Sequence, residues 1–421
     1  MVVRALAVPR ECRCRDRPIW ARISLKINHA SRLTAAGAPL QAQSRWQDKA
    51  VAGAHTHSGE GDPEPHPSDA DDTSWRDAPV YAALDLGTNN CRLLVARPSR
   101  RGFKVIDAFS RIIRLGEGLA ATGRLSDDAM TRTVQALQIC AAKIARHRVQ
   151  RARLVATEAC RVATNGASFL DRVRRDLALE IEILSREDEA RLAVSGCASL
   201  IDAESDLVLV FDIGGGSSEL VWLDLARWRG EGNRRGGRSL TDRVDVQSAI
   251  LAWTSLPVGV VTLAERFGGD FIGPREFDAM VTHVRALLEP FERDIAIAGR
   301  LASSRVQLLG TSGTVTTVAG VHLKLPRYDR SRVDGTWLTV QEARAVTRWL
   351  VVASHEARVA QPCIGRDRAD LVLAGCAILE AIAEVWPAER LRVADRGLRE
   401  GILAMLMAED ARTARAARGA P

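Results

Sequence analysis

No apolar run in this chain approaches the ~18 residues that a membrane-spanning helix requires, so no segment is expected to cross a bilayer. Residues Met1 to Ala21 also lack the continuous apolar stretch of a secretory signal. Aromatic residues are scarce, at 5% of the chain, and no basic stripe is interleaved with them. A surface that stacks and grips nucleic acid is therefore not expected. The eight cysteines form neither a disulfide framework nor a metal-ligand spacing. Cys12 and Cys14 are the one close pair, while Cys91, Cys140, Cys160, Cys197 and Cys376 sit among apolar neighbours, where thiols behave as small buried hydrophobes. That pattern suits a reducing cytoplasm.

What is present is enough for two ordinary cores: 421 residues, 46% of them hydrophobic, need no covalent staple. The net charge of +7 lies almost wholly beyond residue 77, which favours an anionic substrate. Residues 1–77 read as a disordered tail, first Arg-rich (Arg10, Arg13, Arg15, Arg17) and then acidic and Pro-rich from Gly59 to Pro65. His55, His57 and His66 lie near Asp62 and Glu64, but nothing fixes their geometry for a metal.

From Val80 the pattern is orderly. Strands are predicted near 81–85, 91–96 and 103–109, then a helix from Asp127 to His147 capped by Ser126, and strands at Arg153 to Ala156 and Glu180 to Leu184. Ser185 is placed to cap a further helix, with Asp188 at the capping-box position. Strands at Leu207 to Phe211, Glu219 to Leu223 and Ile250 to Ser255 repeat the first meander, interrupted by a Gly- and Arg-rich insertion from Arg227 to Arg243, read as a flexible hairpin. Helices near 260–267 and 275–299, a strand at Arg305 to Leu309, helices near 340–355 and 368–385, a strand at Leu391 to Val393 and a helix from Leu398 follow. The expected fold is α/β and two-lobed with a cleft, the lobes spanning 78–203 and 204–409, with a flexible tail over 410–421.

Two segments concentrate the chemistry. Ala83 to Asn90 and Leu209 to Glu219 are each an apolar run ending in Asp-x-Gly and small polar residues. Such a run reads as a buried strand, and the glycine that follows lets backbone N–H groups converge on one anion. In the first loop the candidates are Gly87, Thr88, Asn89, Asn90 and the nearby Arg92; in the second, Gly214, Gly215, Gly216, Ser217 and Ser218. A third segment, Gly310 to Thr317, offers Gly313 and Thr314 at a helix start. Asp85, Asp212 and Glu219 suit Mg²⁺, a hard cation with oxygen ligands, although an Asp in such a turn can also simply cap it. Glu187, Asp188 and Glu189 are equal candidates for a general base on residue type alone. Arg92, Arg114, Arg161 and Asn165 are further phosphate-side candidates.

These blocks, with Asp395-Arg396-Gly397-Leu398-Arg399-Glu400-Gly401, resemble in order and content the exopolyphosphatase and guanosine pentaphosphate phosphohydrolase (Ppx/GppA) family of the actin-like ATPase superfamily. The resemblance implies duplicated actin-like, ribonuclease H-like domains. It implies Mg²⁺-assisted attack of water on a terminal phosphoanhydride, with Glu189 as catalytic base and Glu219 orienting the water or holding metal. Inorganic polyphosphate is the expected substrate and guanosine pentaphosphate the alternative; a cytoplasmic homodimer is the expected setting. Asn90 stands where many relatives have Ser, and the chain has no His-Asp dipeptide, so a short form without the helical His-Asp region is expected. A sugar-type kinase and a nucleotide-gated actin-like binding or chaperone protein without significant turnover are the competing readings.

Overall fold

The computed structural model describes residues 78–99, 102–230, 245–268 and 272–418. All of them belong to one unit spanning Pro65–Pro421. The tail expected over 1–77 and residues 231–244 of the expected insertion lie outside the described residues.

Strands β1 (Tyr81–Leu86), β2 (Asn90–Ser99) and β3 (Gly102–Ile112) form an antiparallel meander, and β4 (Arg151–Ala156) pairs parallel with β1. With the two-residue β5 (Glu182–Ile183) they make a five-stranded sheet in the order β3-β2-β1-β4-β5. The second sheet contains β6 (Leu207–Ile213), β7 (Ser218–Asp224), β8 (Ile250–Leu256), β9 (Val306–Thr311), β10 (Trp337–Thr339) and β11 (Arg390–Ala394). Its order, read from the other edge, is β8-β7-β6-β9-β11-β10. The first five positions repeat the first sheet: meander, then a parallel β6–β9 pair where the first sheet has β1–β4, then a parallel β9–β11 pair where it has β4–β5. The central strands are continuous apolar runs because both faces are covered.

Two helices exchange between the sheets. Arg186–Cys197 packs Ala190, Val194 and Cys197 against Val208, Val210, Val221 and Leu309 of the second sheet. Leu398–Arg418 packs Leu398, Ile402, Leu403 and Leu406 against Tyr81, Ala83 and Leu94 of the first. These helices cross at backbone contact: a Cβ on Gly196 would lie 1.9 Å from the Gly397 carbonyl oxygen, and one on Gly401 would lie 2.0 Å from that of Leu192. Only glycine permits that approach. The crossing sets the C-terminal half of the first helix, at Leu192 and Gly196, against the start of the second, at Gly397 and Gly401.

Several expectations are revised. The strand expected over Glu180 to Leu184 shrinks to Glu182–Ile183 because it pairs with β4 only at Val155 and Ala156. The start of the expected insertion is a helix, Leu225–Gly230, in which Arg229 pairs with Asp206 at 2.9 Å. The expected long helix to 299 ends at Ile295, where Ala296 turns left-handed at φ 49°. The C-terminal segment expected to be a tail from 410 is helical through Arg418, and Asp410 accepts a hydrogen bond from the Tyr81 hydroxyl at 2.6 Å. The six cysteines among the described residues are free and buried. No helix among them is long and apolar enough to cross a membrane.

Candidate active site

One cleft gathers nearly every residue singled out from the sequence. Asp85, Gly87, Thr88, Asn89, Asn90, Arg92, Glu189, Asp212, Gly214, Gly215, Gly216, Ser217, Glu219, Gly313 and Thr314 all line it. Both glycine loops close alike: Gly87 N–H donates to Asn90 O, and Gly214 N–H to Ser217 O, each at 2.9 Å. Beyond them the register places Asp85 opposite Arg92 and Asp212 opposite Glu219.

The orientation of the loop peptides follows from what binds their carbonyls. Gly214 O and Gly215 O accept from Val260 N–H at 2.9 Å and Val261 N–H at 2.8 Å, the first residues of the helix Val260–Phe267. In a planar trans peptide the N–H points opposite the C=O, so the N–H groups of Gly215 and Gly216 turn away from that helix, toward the cleft. In the first loop Thr88 O accepts from Gly116 N–H at 2.9 Å and Asn89 O from Ile113 N–H at 2.9 Å, which turns the N–H groups of Asn89 and Asn90 likewise. Two such rows of donors in one cleft suit an anion. They are close: a Cβ on Gly215 would lie 2.9 Å from Thr88 Cβ.

At the third segment Ser312, at φ 147°, caps the helix Gly313–His322, and its Oγ accepts from the Thr314 and Val315 N–H groups at 3.1 and 3.3 Å. A non-glycine residue at that φ is strained, a condition that clusters at functional sites. Thr314 lines the cleft, with its N–H donating to Ser312 Oγ and its side chain packed over Gly375. One expectation changes, in the second loop. Ser218 does not line the cleft; it is buried, and its hydroxyl donates to Val258 O at 2.7 Å because its strand position faces the helix side.

Of the three neighbouring acids only Glu189 turns into the cleft. Glu187 pairs with Arg191 at 2.9 Å on the surface, and Asp188 is engaged with Ser185 at the helix cap. Glu189 Oε2 accepts from Arg161 Nη2 at 3.1 Å. Burial, followed by the charge of Glu219, pushes the Glu189 carboxyl well above its ordinary range, against the pull of Arg161. Burial also raises Asp85, opposed by Arg92 and Arg399. Asp212 is pushed up to about 8 by burial and then by Glu219. Glu219 is raised by burial despite hydrogen bonds from Ser217 and Ser255, the latter at 2.8 Å. Four acids thus share one enclosed space and are short of positive charge.

The three-ligand metal set Asp85, Asp212 and Glu219 is not formed: among the described residues no three His, Cys, Asp or Glu side chains converge on one point. Asn89 lines the cleft, and its buried Oδ1 has no hydrogen-bond partner among the described residues. A hard cation sharing one or two of these oxygens with phosphate and water fits such a donor set.

Sequence reasoning missed Ser312, Thr157, Thr317 and Arg368, which also line the cleft. A Ser before a helix-starting Gly is a cap signal; nothing in Arg366-Asp367-Arg368 marks its third residue. Arg368 donates to Thr317 Oγ1 at 3.3 Å, and burial, then the like charge of Arg92, lowers its proton affinity. Neither Arg92 nor Arg368 forms an ion pair with a carboxylate among the described residues. Arg114 instead pairs with Asp370 at 3.0 Å, and Asn165 pins the backbone of Leu125 through both its amide atoms.

Fold and site together define an actin-like α/β protein with a carboxylate- and glycine-lined cleft between two related sheets. The chain belongs to the Ppx/GppA phosphatase family, whose pattern matches residues 94–409. It is 28% identical over 328 residues to a guanosine-5'-triphosphate,3'-diphosphate pyrophosphatase of Aeromonas salmonicida, covering 78% of this chain and 59% of that protein. A protein of the same name from Photobacterium profundum is 27% identical, covering 79% of this chain and 60% of that one. The chain therefore spans about 60% of the length of these relatives. Among solved structures, an exopolyphosphatase-like protein superposes with TM-score 0.66 at 28% identity, covering 78% of this chain and 97% of that one. The Aquifex aeolicus family member gives 0.61 at 28% identity, covering 79% and 98%.

Proposed function

We propose that this chain hydrolyses a terminal phosphoanhydride by direct attack of water, with guanosine pentaphosphate as substrate and loss of its 5′ terminal phosphate. The observation that carries the reading is the pair of glycine loops, their carbonyls held from behind, lining one cleft with Glu189, whose proton affinity is raised by burial and by Glu219. Phosphoryl transfer needs its loose transition state held and neutralised more than it needs covalent help. The loop N–H groups and Arg92 would hold the terminal phosphoryl oxygens, Glu219 and Ser217 would orient the water, and Glu189 would take its proton. Asp85 and Asp212, sharing the shell with phosphate oxygens and water, would hold a Mg²⁺ that neutralises charge on the reacting phosphate.

The names of the curated relatives support the nucleotide; the exopolyphosphatase-like neighbour supports inorganic polyphosphate as the second reading. The same proposal has the protein working in the cytoplasm as a homodimer. Phosphate release from guanosine pentaphosphate, medium and long polyphosphate and ATP, with and without Mg²⁺, separates the substrates. A chain active on polyphosphate and inert on pentaphosphate overturns the substrate choice. Glu189→Gln is expected to bind substrate normally and lose about 10²–10⁴ in rate. Turnover near wild type in that variant removes Glu189 from the mechanism.

A further inference from the structure

Glu158 is a carboxylate that neither the cleft lining nor the sequence motifs account for. It begins the helix Glu158–Val162 and is buried, with a side chain only 8% exposed. Both of its oxygens are occupied. Oε2 accepts from Arg161 Nε at 3.0 Å and from Arg161 Nη2 at 2.6 Å, and Oε1 accepts from Arg186 Nη2 at 2.8 Å. Arg161 Nη1 donates to Leu184 O. The guanidinium plane is therefore held along two edges, and one N–H of Nη2 remains to meet Glu189 Oε2 at 3.1 Å. Glu158 also reaches the second loop: a Cβ on Gly216 would lie 3.2 Å from Glu158 Cγ. One side chain thus joins the helix carrying Arg161, the helix carrying Glu189 and the glycine loop.

We propose that Glu158 is a positioning residue for Glu189: by clamping Arg161 it limits that arginine to a single hydrogen bond with Glu189, while its methylenes brace the second glycine loop. A guanidinium fork readily takes a carboxylate with two parallel bonds. Released from Glu158, Arg161 is free to swing onto Glu189 in that way and occupy the lone pair that would otherwise face the attacking water. The charge of Arg161 is divided between two carboxylates as it stands; without Glu158 all of it falls on Glu189. Arg186 sets the opposite edge of Glu158, so the clamp is anchored to the same helix as the residue it serves.

This inference rests on Glu189 being the base, and the experiment keeps the two apart. Glu158→Gln preserves the methylenes and removes the charge. It is expected to lower kcat about 10-fold, the scale of one altered charged hydrogen bond, with KM within about twofold and the melting temperature within a few degrees. Glu158→Ala removes the brace as well and is expected to raise KM in addition. In an Arg161→Gln background the further effect of Glu158→Gln on kcat should vanish, because the path through Arg161 is gone. Wild-type kcat in Glu158→Gln, or a loss that persists undiminished in the Arg161→Gln background, overturns the proposal. If Glu189→Gln abolishes turnover while Glu158→Gln does not change it, the positioning role alone fails. If Glu189→Gln turns over normally, the assignment of the base fails first.

Discussion

The two glycine hairpins close alike but carry different side chains, Asp85-Leu86-Gly87-Thr88-Asn89-Asn90-Cys91-Arg92 in the first and Asp212-Ile213-Gly214-Gly215-Gly216-Ser217-Ser218-Glu219 in the second. Each closes with a 2.9 Å hydrogen bond across a four-residue turn, and each places an Asp one pair back from the turn. Opposite that Asp, the first hairpin has Arg92 and the second has Glu219. That difference sets a guanidinium opposite Asp85 on the first hairpin and a second carboxylate opposite Asp212 on the other. Burial raises Asp85 and Asp212, and Arg92 opposes that rise in both, while Glu219 adds to the rise of Asp212 and Glu189. Under the proposed mechanism both hairpins offer N–H groups to the phosphate, and the division of roles to test is Arg92 as a binding group against Glu219 as a group that serves the water.

The strongest way to break that division is Glu219→Gln. If Glu219 serves the water, kcat for phosphate release falls by about 10²–10⁴ with KM little changed. A rise in KM with kcat intact would assign Glu219 to binding instead. Arg92→Gln is the mirror experiment, and steady-state kinetics should show KM rising about 10–100-fold, the scale of a lost charged hydrogen bond to phosphate. Equal falls in kcat for the two variants would erase the distinction between the hairpins.

Smaller effects probe how the turns differ in space. Gly215→Ala puts a methyl 2.9 Å from Thr88 Cβ and 3.1 Å from Asn89 N, so the loops must part; about a 10-fold loss in kcat/KM is expected. Gly87 meets nothing nearer than Asn90 O at 3.4 Å, and Gly87→Ala should stay within about twofold by the same assay. Similar losses in both would mean that backbone freedom, and not contact between the loops, sets the requirement.

The least effect is on stability. Asp212 titrates at about 8 in the folded chain, against ~3.9 when unfolded. Between these values the folded state keeps a proton the unfolded state has released, so stability falls as pH rises through that window. Asp212→Asn removes the fall. Thermal melts without divalent ions should show it raising the melting temperature by a few degrees near about pH 9 and hardly at all near about pH 4. The gain should exceed that of Asp85→Asn, because Asp85 faces Arg92. Equal gains at both pH values would show that the carboxylate carries no such penalty.

Much of this was readable from local pattern. The apolar run, the Asp-x-Gly step and the small residues after it are contiguous, so the steric freedom of glycine and the burial of a strand appear directly in the sequence at Asp85 to Asn90 and Asp212 to Ser217. Ser126 and Ser185 cap their helices where the spacing placed them, since a cap needs only the next three residues. Ser218 was misassigned because alternation along a strand hides which face the neighbouring helix covers.

What the sequence determined by itself, then, was the pair of Asp-x-Gly turns, through short-range rules of strand, turn and cap, and the family, through the resemblance of its ordered motif blocks. The tertiary structure alone decided which acid of Glu187, Asp188 and Glu189 faces the cleft, that Arg368 joins it from a distant segment, and that Glu158 holds Arg161. Those choices depend on helix phase and on the backbone contact at Gly196 and Gly401, which bring residues remote in the chain to one point, and no local pattern encodes that distance.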